Sequence, residues 1–486
     1  MAQPTFAPRP VERHVYDGGW EHFVGGGLAA FDCNGDGLPE LAAAGGANPV
    51  QLFVNISAPV LQFEPQDSAL GLTGVTGLYP IDIDSDAILD IVLLRVGQNL
   101  VFRGLGECQF EPFDGLDLPD DDSWTTAFSA TWEDDQTLPT LAFGNYVDRG
   151  HPNGPFGTCA ANGLYRPDGD QYGPPQLLEP GYCALSMLFS DWGRQGRADL
   201  RVSNDRHYYV RDGAEQLWAM TDTPRLYTET DGWTRHQLWG MGIASRDLDS
   251  DGLPELYLTS MGDQRLQTLA PSADGPTYLD APYDQGATAH RPYTGGDGRP
   301  STGWHPAFGD VDLDGLTDLF VTKGNVEQMP GSAMADPNNL LMGAADGRFS
   351  EAGLEAGIAT MERSRGAVLA DLNGDGLLDI AVVNRGAPME LFENVTETSG
   401  AWLTVDLRQP APNVFAIGAI VEVHADGRTW TQEHTIGGGH AGGTALPLHF
   451  GLGAVEVVDI RVHWPGGTVD RWTEIAPNQH IVLEPR

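Results

Sequence analysis

The sequence predicts an all-β protein: a seven-bladed β-propeller with calcium loops, followed by a small C-terminal β-sandwich. Three observations lead there. An acidic phrase of ten residues recurs along the chain. Each copy runs into a short apolar strand. Near residue 398 the phrase stops and alternating strands of a different kind take over.

The copy "DLNGDGLLDI", starting at Asp371, shows the chemistry. Asp371, Asn373, Asp375 and Asp379 set four oxygen-bearing side chains within nine residues, with Gly376 among them. Such groups repel unless a hard cation joins them, and carboxylate, amide and backbone oxygens are the ligands of Ca²⁺. An EF-hand opens with the same pattern but needs a bidentate Glu at position 12, inside a helix. Here position 12 is Val382, in an apolar β-branched run, and the last acid comes at position 9. The loop therefore joins two strands.

Four more clear copies supply Asp32, Asn34, Asp36 and Glu40; Asp82, Asp84, Asp86 and Asp90; Asp247, Asp249, Asp251 and Glu255; and Asp310, Asp312, Asp314 and Asp318. Two worn copies fill the long gap, "WEDDQTLPTL" from Trp132 and "DWGRQGRADL" from Asp191. The seven starts fall at 32, 82, 132, 191, 247, 310 and 371. Units of this length with several short strands each fit propeller blades. A solenoid would carry atypical polar caps at its ends, whereas the first and last phrases are among the best formed. The stretch "PTFAPRPVE" (4–12) is expected to supply the outer strand missing from the last unit, which would remove two exposed edges.

Each cation is expected to be a structural staple, about four to five Ca²⁺ in all. Gly at position 6 lets the loop bend with φ > 0. The second copy carries Ala87 there and is expected to bind more weakly. The third, with Trp132, Gln136 and Thr140, is expected to bind nothing. The fourth has Gly193 and Gln195 at ligand positions and is a poor cation loop.

Composition fits this reading. The 486 residues include 62 Gly and 34 Pro, suited to a turn-rich β protein, and the net charge is −41. Calcium loops account for part of the acid excess. The rest argues against nucleic acid and anionic membrane as partners. No run approaches the ~20 apolar residues of a membrane helix. The chain is read as the mature part of a secreted or periplasmic protein whose signal peptide has been removed, because loops of this kind usually work at millimolar calcium. It is expected to be monomeric. Of the four cysteines, Cys159 and Cys183 flank one insertion and are candidates to pair, as are Cys33 and Cys108; spacing alone does not fix the pairing.

The propeller is assigned to residues 1–398 and the sandwich to 399–486. The tail reads as strands "AWLTVDL", "AIVEVHA", "WTQEHTI" and "VVDIRVHW", joined by turns such as "ADGRT" and "WPGGT". The strings "NVFAIGAIVEVHADG" (413–427), "LHFGLGAVEVVDIRVHWPGGTVDRW" (448–472) and "NQHIVLE" (478–484) resemble the ASPIC/UnbV domain. With upstream repeats that resemble FG-GAP/VCBS units, the whole chain is similar to the cartilage acidic protein family and its bacterial homologues. That resemblance implies a secreted or periplasmic calcium-binding propeller with a β-sandwich tail, and a role in adhesion or binding. It brings no catalytic residues. The chain departs from the family before "HFGLG", where it reads "GGGHAGGTALPL" in place of a Ser/Tyr/Leu-rich segment.

No G-x-S-x-G, H-E-x-x-H or phosphate loop is present. His434, His440 and His449 lie close together in the tail, beside Glu433, and invite a metal reading, although ordinary histidines account for them as well. The turns after the strand that follows each phrase are expected to ring one mouth of the central channel. They offer Asn48, Arg95, Asn145, Asn204, Asn325 and Asn384, with Arg363 and Arg385 nearby. Amides and cations in such a ring would suit a polar or anionic small molecule. The expected function is therefore a calcium-stabilised extracytoplasmic binding or adhesion protein, whose partner is a protein, a glycan or a small polar ligand. The alternative is a propeller enzyme, a hydrolase, lyase or cyclase, working in the central channel.

Overall fold

In the computed structural model, residues 2–486 are described apart from 120–121, 134–135, 153–156, 206–209, 211, 272–274, 289–300 and 328–332. Part of the third phrase lies outside the described residues. Seven antiparallel sheets of four strands follow one another along the chain, the first of them joined by a fifth, parallel strand, Thr444–Ala445. The first is Leu28–Phe31, Glu40–Ala43, Gln51–Asn55 and Phe63–Gln66. The seventh is Ser364–Ala370, Asp379–Asn384 and Glu390–Asn394, completed by Phe6–Arg9 from the N-terminus. Phe6 pairs with Asn394 and Arg9 with Leu391. The ring is thus closed by the expected N-terminal strand, which covers the edge of the last blade.

The first strands of successive sheets touch their neighbours all the way round, and Leu28–Phe31 meets Ser364–Ala370. These first strands line the axis and are almost wholly buried: Thr125–Thr131 and Ala184–Ser190 are buried at every residue. A ring formed by the turns after the strand that follows each phrase, as the sequence suggests, would make that strand the innermost. The phrase instead links the first strand to the second, so that later strand stands one place out from the axis. Both strands are buried along almost their whole length and mix apolar with small or polar residues, so alternation does not tell them apart.

The tail forms two sheets. Ala401–Leu407 runs between Leu448–Gly453 and Gln479–Leu483, while Ile420–Ala425 runs between Arg428–Glu433 and Val458–His463, with Val469–Ile475 outside. Their inner faces bury Leu403, Val421, Phe450, Val462 and Trp464 together. The sequence extended the "WTQEHTI" strand to Ile436, but pairing stops at Glu433. From there the chain leaves the sandwich and enters the propeller.

The four cysteines pair as Cys33–Cys108 and Cys159–Cys183. The first ties the first phrase to the second blade. Among the described residues no helix is long and apolar enough to cross a membrane.

Candidate functional site

Each intact phrase folds into the same loop, and its first acid organises it. The Asp310 carboxylate accepts the backbone N–H groups of Asp314 at 3.2 Å and Gly315 at 2.7 Å. Asp32, Asp82, Asp247 and Asp371 do the same in their own loops. The acid at position 9 reaches back from the second strand: Asp318 accepts from Val311 at 2.9 Å and Glu255 from Leu248 at 2.8 Å. Gly376 at φ 90 makes the bend without a Cβ penalty, and Ala87 makes it at φ 68 in the second loop.

These contacts draw carboxylates together. One oxygen from each of Asp82, Asp84 and Asp86 lies within 4.8 Å of the others, as it does in Asp247/Asp249/Asp251 and Asp310/Asp312/Asp318. The last group is the most buried, at 6%, 1% and 1% exposure. Both Asp312 carboxylate oxygens there are buried without a hydrogen-bond partner. A buried carboxylate pays for desolvation unless a cation or donor meets it, so this set of hard oxygen donors fits Ca²⁺. Asp84 in the second loop also has one such unpartnered oxygen. In the first and seventh loops an amide takes position 3, and the Asn34 and Asn373 side chains bridge to Asp36 and Asp375.

Burial pushes the Asp310, Asp90 and Glu255 carboxyls up to about 8, with neighbouring carboxylates adding to the effect at each. Glu40 is raised to about 7 for the same reasons, and Asp82, Asp312 and Asp371 to about 6. A carboxyl whose pKa is higher folded than unfolded binds more protons in the folded state, so stability is lost as pH rises from about 4 to about 8. Calcium-free protein should therefore melt at a lower temperature at pH 8 than at pH 5. Added calcium should abolish or reverse that slope, because the cation displaces the protons. Thermal melts at both pH values with and without chelator check this; the same slope in both conditions would contradict it.

The worn loops carry a feature that the phrase alone hides. Where ligands are missing, an arginine supplies positive charge, from the turn after a later strand in the third loop and from the phrase itself in the fourth. In the third loop Arg166 forks onto Glu133 at 2.7 and 2.9 Å. In the fourth, Arg197 lies 3.0 Å from Asp199, which also accepts from Trp192 and Tyr227. The second loop keeps all four acids, and there too an arginine approaches: Arg103 reaches Asp84 at 2.7 Å and Asp86 at 3.1 Å. A guanidinium at this spot competes with an incoming cation. Arg103→Ala should raise the calcium affinity of the second loop by up to about fivefold, the worth of a surface ion pair. Calcium titration of the variant against wild type would show it; unchanged or weaker binding would count against competition.

The predicted mouth ring sits at the turns after the second strands, and its amides work inside their own blades. Asn145 Nδ2 donates to Ala161, Asn204 to Ala214, Asn325 to Glu327 and Asn384 to Pro388, each at a main-chain oxygen. Asn48 holds the Val15 carbonyl at 2.8 Å. The Arg95 guanidinium meets the carbonyls of Gln98 and Thr73. Arg385 donates to Gly18 and His22 and lies over the Phe23 ring, clamping the N-terminal segment across this mouth. Arg363 lies beside it, against Gly386. Amides engaged in this way staple turns.

The channel itself is filled by the chain. Residues 436–445 leave the sandwich and cross it, bridging to Ala130, Leu188, Ile243 and Leu78 in four blades and running parallel to Ala30–Phe31 in the first. His440 sits at the centre, fully buried. Its ring lies 4.7 Å from that of Trp304, and its N–H donates to His305 Nδ1 at 3.0 Å. Arg365 of the seventh blade stacks on the other ring system of this hub, 4.1 Å over Trp304. The three tail histidines are thus separated: His440 is in the channel, His449 bonds the Gly376 carbonyl at 2.8 Å, and His434 is buried near Phe415. They form no common ligand set among the described residues. The departure "GGGHAGG" was the visible signal of this insertion, since only glycine lets a backbone pass so close to others.

Two family models match parts of the chain. Residues 409–486 match the family model described as ASPIC and UnbV, and residues 32–93 match an FG-GAP-like repeat. No curated protein matches the sequence. Among solved structures, BBS1N in complex with ARL6DN is similar at 10% identity and a TM-score of 0.43, over 80% of this chain and 96% of that one. An extracellular domain assigned to a hybrid two-component system of B. thetaiotaomicron gives 9% identity and 0.42, over 94% and 56%. A lectin from Agrocybe aegerita, titled for recognition of terminal N-acetylglucosamine, gives 15% and 0.32, over 81% and 80%.

Proposed function

We propose that this chain, which joins an FG-GAP-like repeat to an ASPIC and UnbV domain, is a calcium-stapled extracytoplasmic binding protein. The observation that carries the reading is the sixth loop, where Asp310, Asp312 and Asp318 converge while buried and Asp312 has no other partner. The same loops form the platform on which the sandwich rests. Ser250 Oγ donates to Thr429 at 2.6 Å, Trp430 Nε1 to Gly315 at 2.9 Å, and Thr398 Oγ1 to Asp312 at 2.7 Å. When bound, calcium neutralises the converging carboxylates and holds the loop shape; Asp310, Asp312 and Asp318 hold it in the sixth loop. The residues around these loops place backbone and carboxylate oxygens toward the loop centre. The two disulfides and the −41 charge support a place outside the cytoplasm.

Native mass spectrometry in millimolar calcium, before and after chelation, tests the reading. Added mass equal to four or five calcium ions, lost on chelation, is expected. No calcium mass would overturn it.

A further inference from the structure

The chain has 27 lysines and arginines, and all but one are arginine. The exception is Lys323. It ends the second strand of the sixth blade, Asp318–Lys323, and its side chain is 2% exposed. Its Nζ lies 2.9 Å from a carboxylate oxygen of Asp336, whose side chain is 1% exposed. Asp336 stands just before the third strand, Asn339–Gly343.

Neighbouring contacts hold the two groups together. The Lys323 N–H donates to Asn338 Oδ1 at 2.9 Å, and the Asn325 N–H donates to the Met334 carbonyl at 2.9 Å. Glu351 of the fourth strand is a second acid in this neighbourhood. It accepts from the Leu340 N–H at 3.2 Å, the Gly353 N–H at 2.7 Å and the Asn339 amide. Burial raises its pKa to about 7, while the Lys323 charge pulls the other way.

A buried ion pair repays its desolvation poorly. If charge were all that this spot required, arginine would supply it with more donors, as it does throughout the rest of the chain. What lysine offers and arginine does not is an amine that can lose its proton and act as a nucleophile.

We propose that Lys323 and Asp336 join through an amide bond. The ammonium hands one proton to the carboxylate across their contact, which leaves an amine and a carboxylic acid. Nζ then attacks Cγ, and the C–N bond forms. Nζ gives its second proton to the acid hydroxyl, with Glu351 as relay; the Cγ–O bond breaks and that oxygen leaves as water. Both charges disappear, and no further reactant enters. Holding amine against carboxyl in a fixed site removes the entropic cost of bringing them together. Loss of two buried charges favours the product. The bond ties the end of the second strand to the approach of the third.

Lysyl endopeptidase on the denatured, reduced full chain reads the bond directly, because the sequence offers it a single lysine. An uncut chain is expected, with an intact mass one water below that of its sequence. Asp336→Ala should have its full sequence mass and be cut into 1–323 and 324–486. Lys323→Arg should also have its full mass. Wild type at full mass and cut after Lys323 would overturn the proposal. So would an uncut chain heavier than its sequence, or an Asp336→Ala chain that still lacks a water. Glu351→Gln should leave a share of chains at full mass; complete conversion in that variant would overturn the relay alone.

Discussion

Chelating calcium is expected to lower the melting temperature by about 10 °C or more and to release the sandwich from the propeller before the propeller itself melts. A ligand held only by the folded state at about 100 times its Kd adds roughly 2.7 kcal/mol per site. Several such sites act on a total that is typically about 5–15 kcal/mol, and each kcal/mol moves the midpoint of a large domain by about 2 °C. The order of events follows from geometry. The fifth, sixth and seventh loops each hold the tail through a main-chain oxygen or a loop side chain, at Thr429, Gly315 and Gly376. Loops that lose their cation will let those contacts go first. Hydrogen exchange on chelation should therefore rise in 428–433 before it rises in the inner strands. Uniform exchange, or an unchanged melting point, would refute the staple.

Gly77→Ala is expected to cost about 3 kcal/mol or more and to expel residues 436–445 from the channel. A Cβ at Gly77 would overlap the Ala441 carbonyl, and one at Gly27 would meet the same oxygen. The obstacle is backbone on both sides, so no rotamer relieves it, and overpacking of this kind sits at or above the usual 1–3 kcal/mol range. Protease should then cut within 436–445, which is intact in the wild type. As a control, Gly347→Ala alters an exposed turn with open space around it, and there the only cost is its positive φ of 77. Equal protease resistance in Gly77→Ala and wild type would show that the channel segment is not held as described.

Much of the fold was legible because the repeat phrase combines two physical demands. It needs oxygen ligands at alternate positions, and it needs an apolar strand directly after them. That pairing located Asp32, Asp82, Asp247, Asp310 and Asp371, and the edge left open by the last unit pointed to Phe6–Arg9. The layer order was not legible. The strand Asp379–Asn384 and the strand before it, Ser364–Ala370, are both buried almost throughout and both mix apolar with polar residues, so nothing in their pattern says which faces the axis. The amides of Asn204 and Asn384 looked available because a sequence does not display the carbonyl that each one meets across its turn.

The filled channel sets an order of assembly. The amide of Gly25 meets His440 Nε2 at 3.3 Å, so segments more than 400 residues apart meet at the hub. The blades have no finished centre to pack against until residue 445 has left the ribosome. Until then the inner strands face an open hole that exposes Trp304 and Arg365. Completion of the structure is therefore a late event in the life of each chain. A chaperone that screened these chains for unfinished copies would find its signal at the centre of the ring.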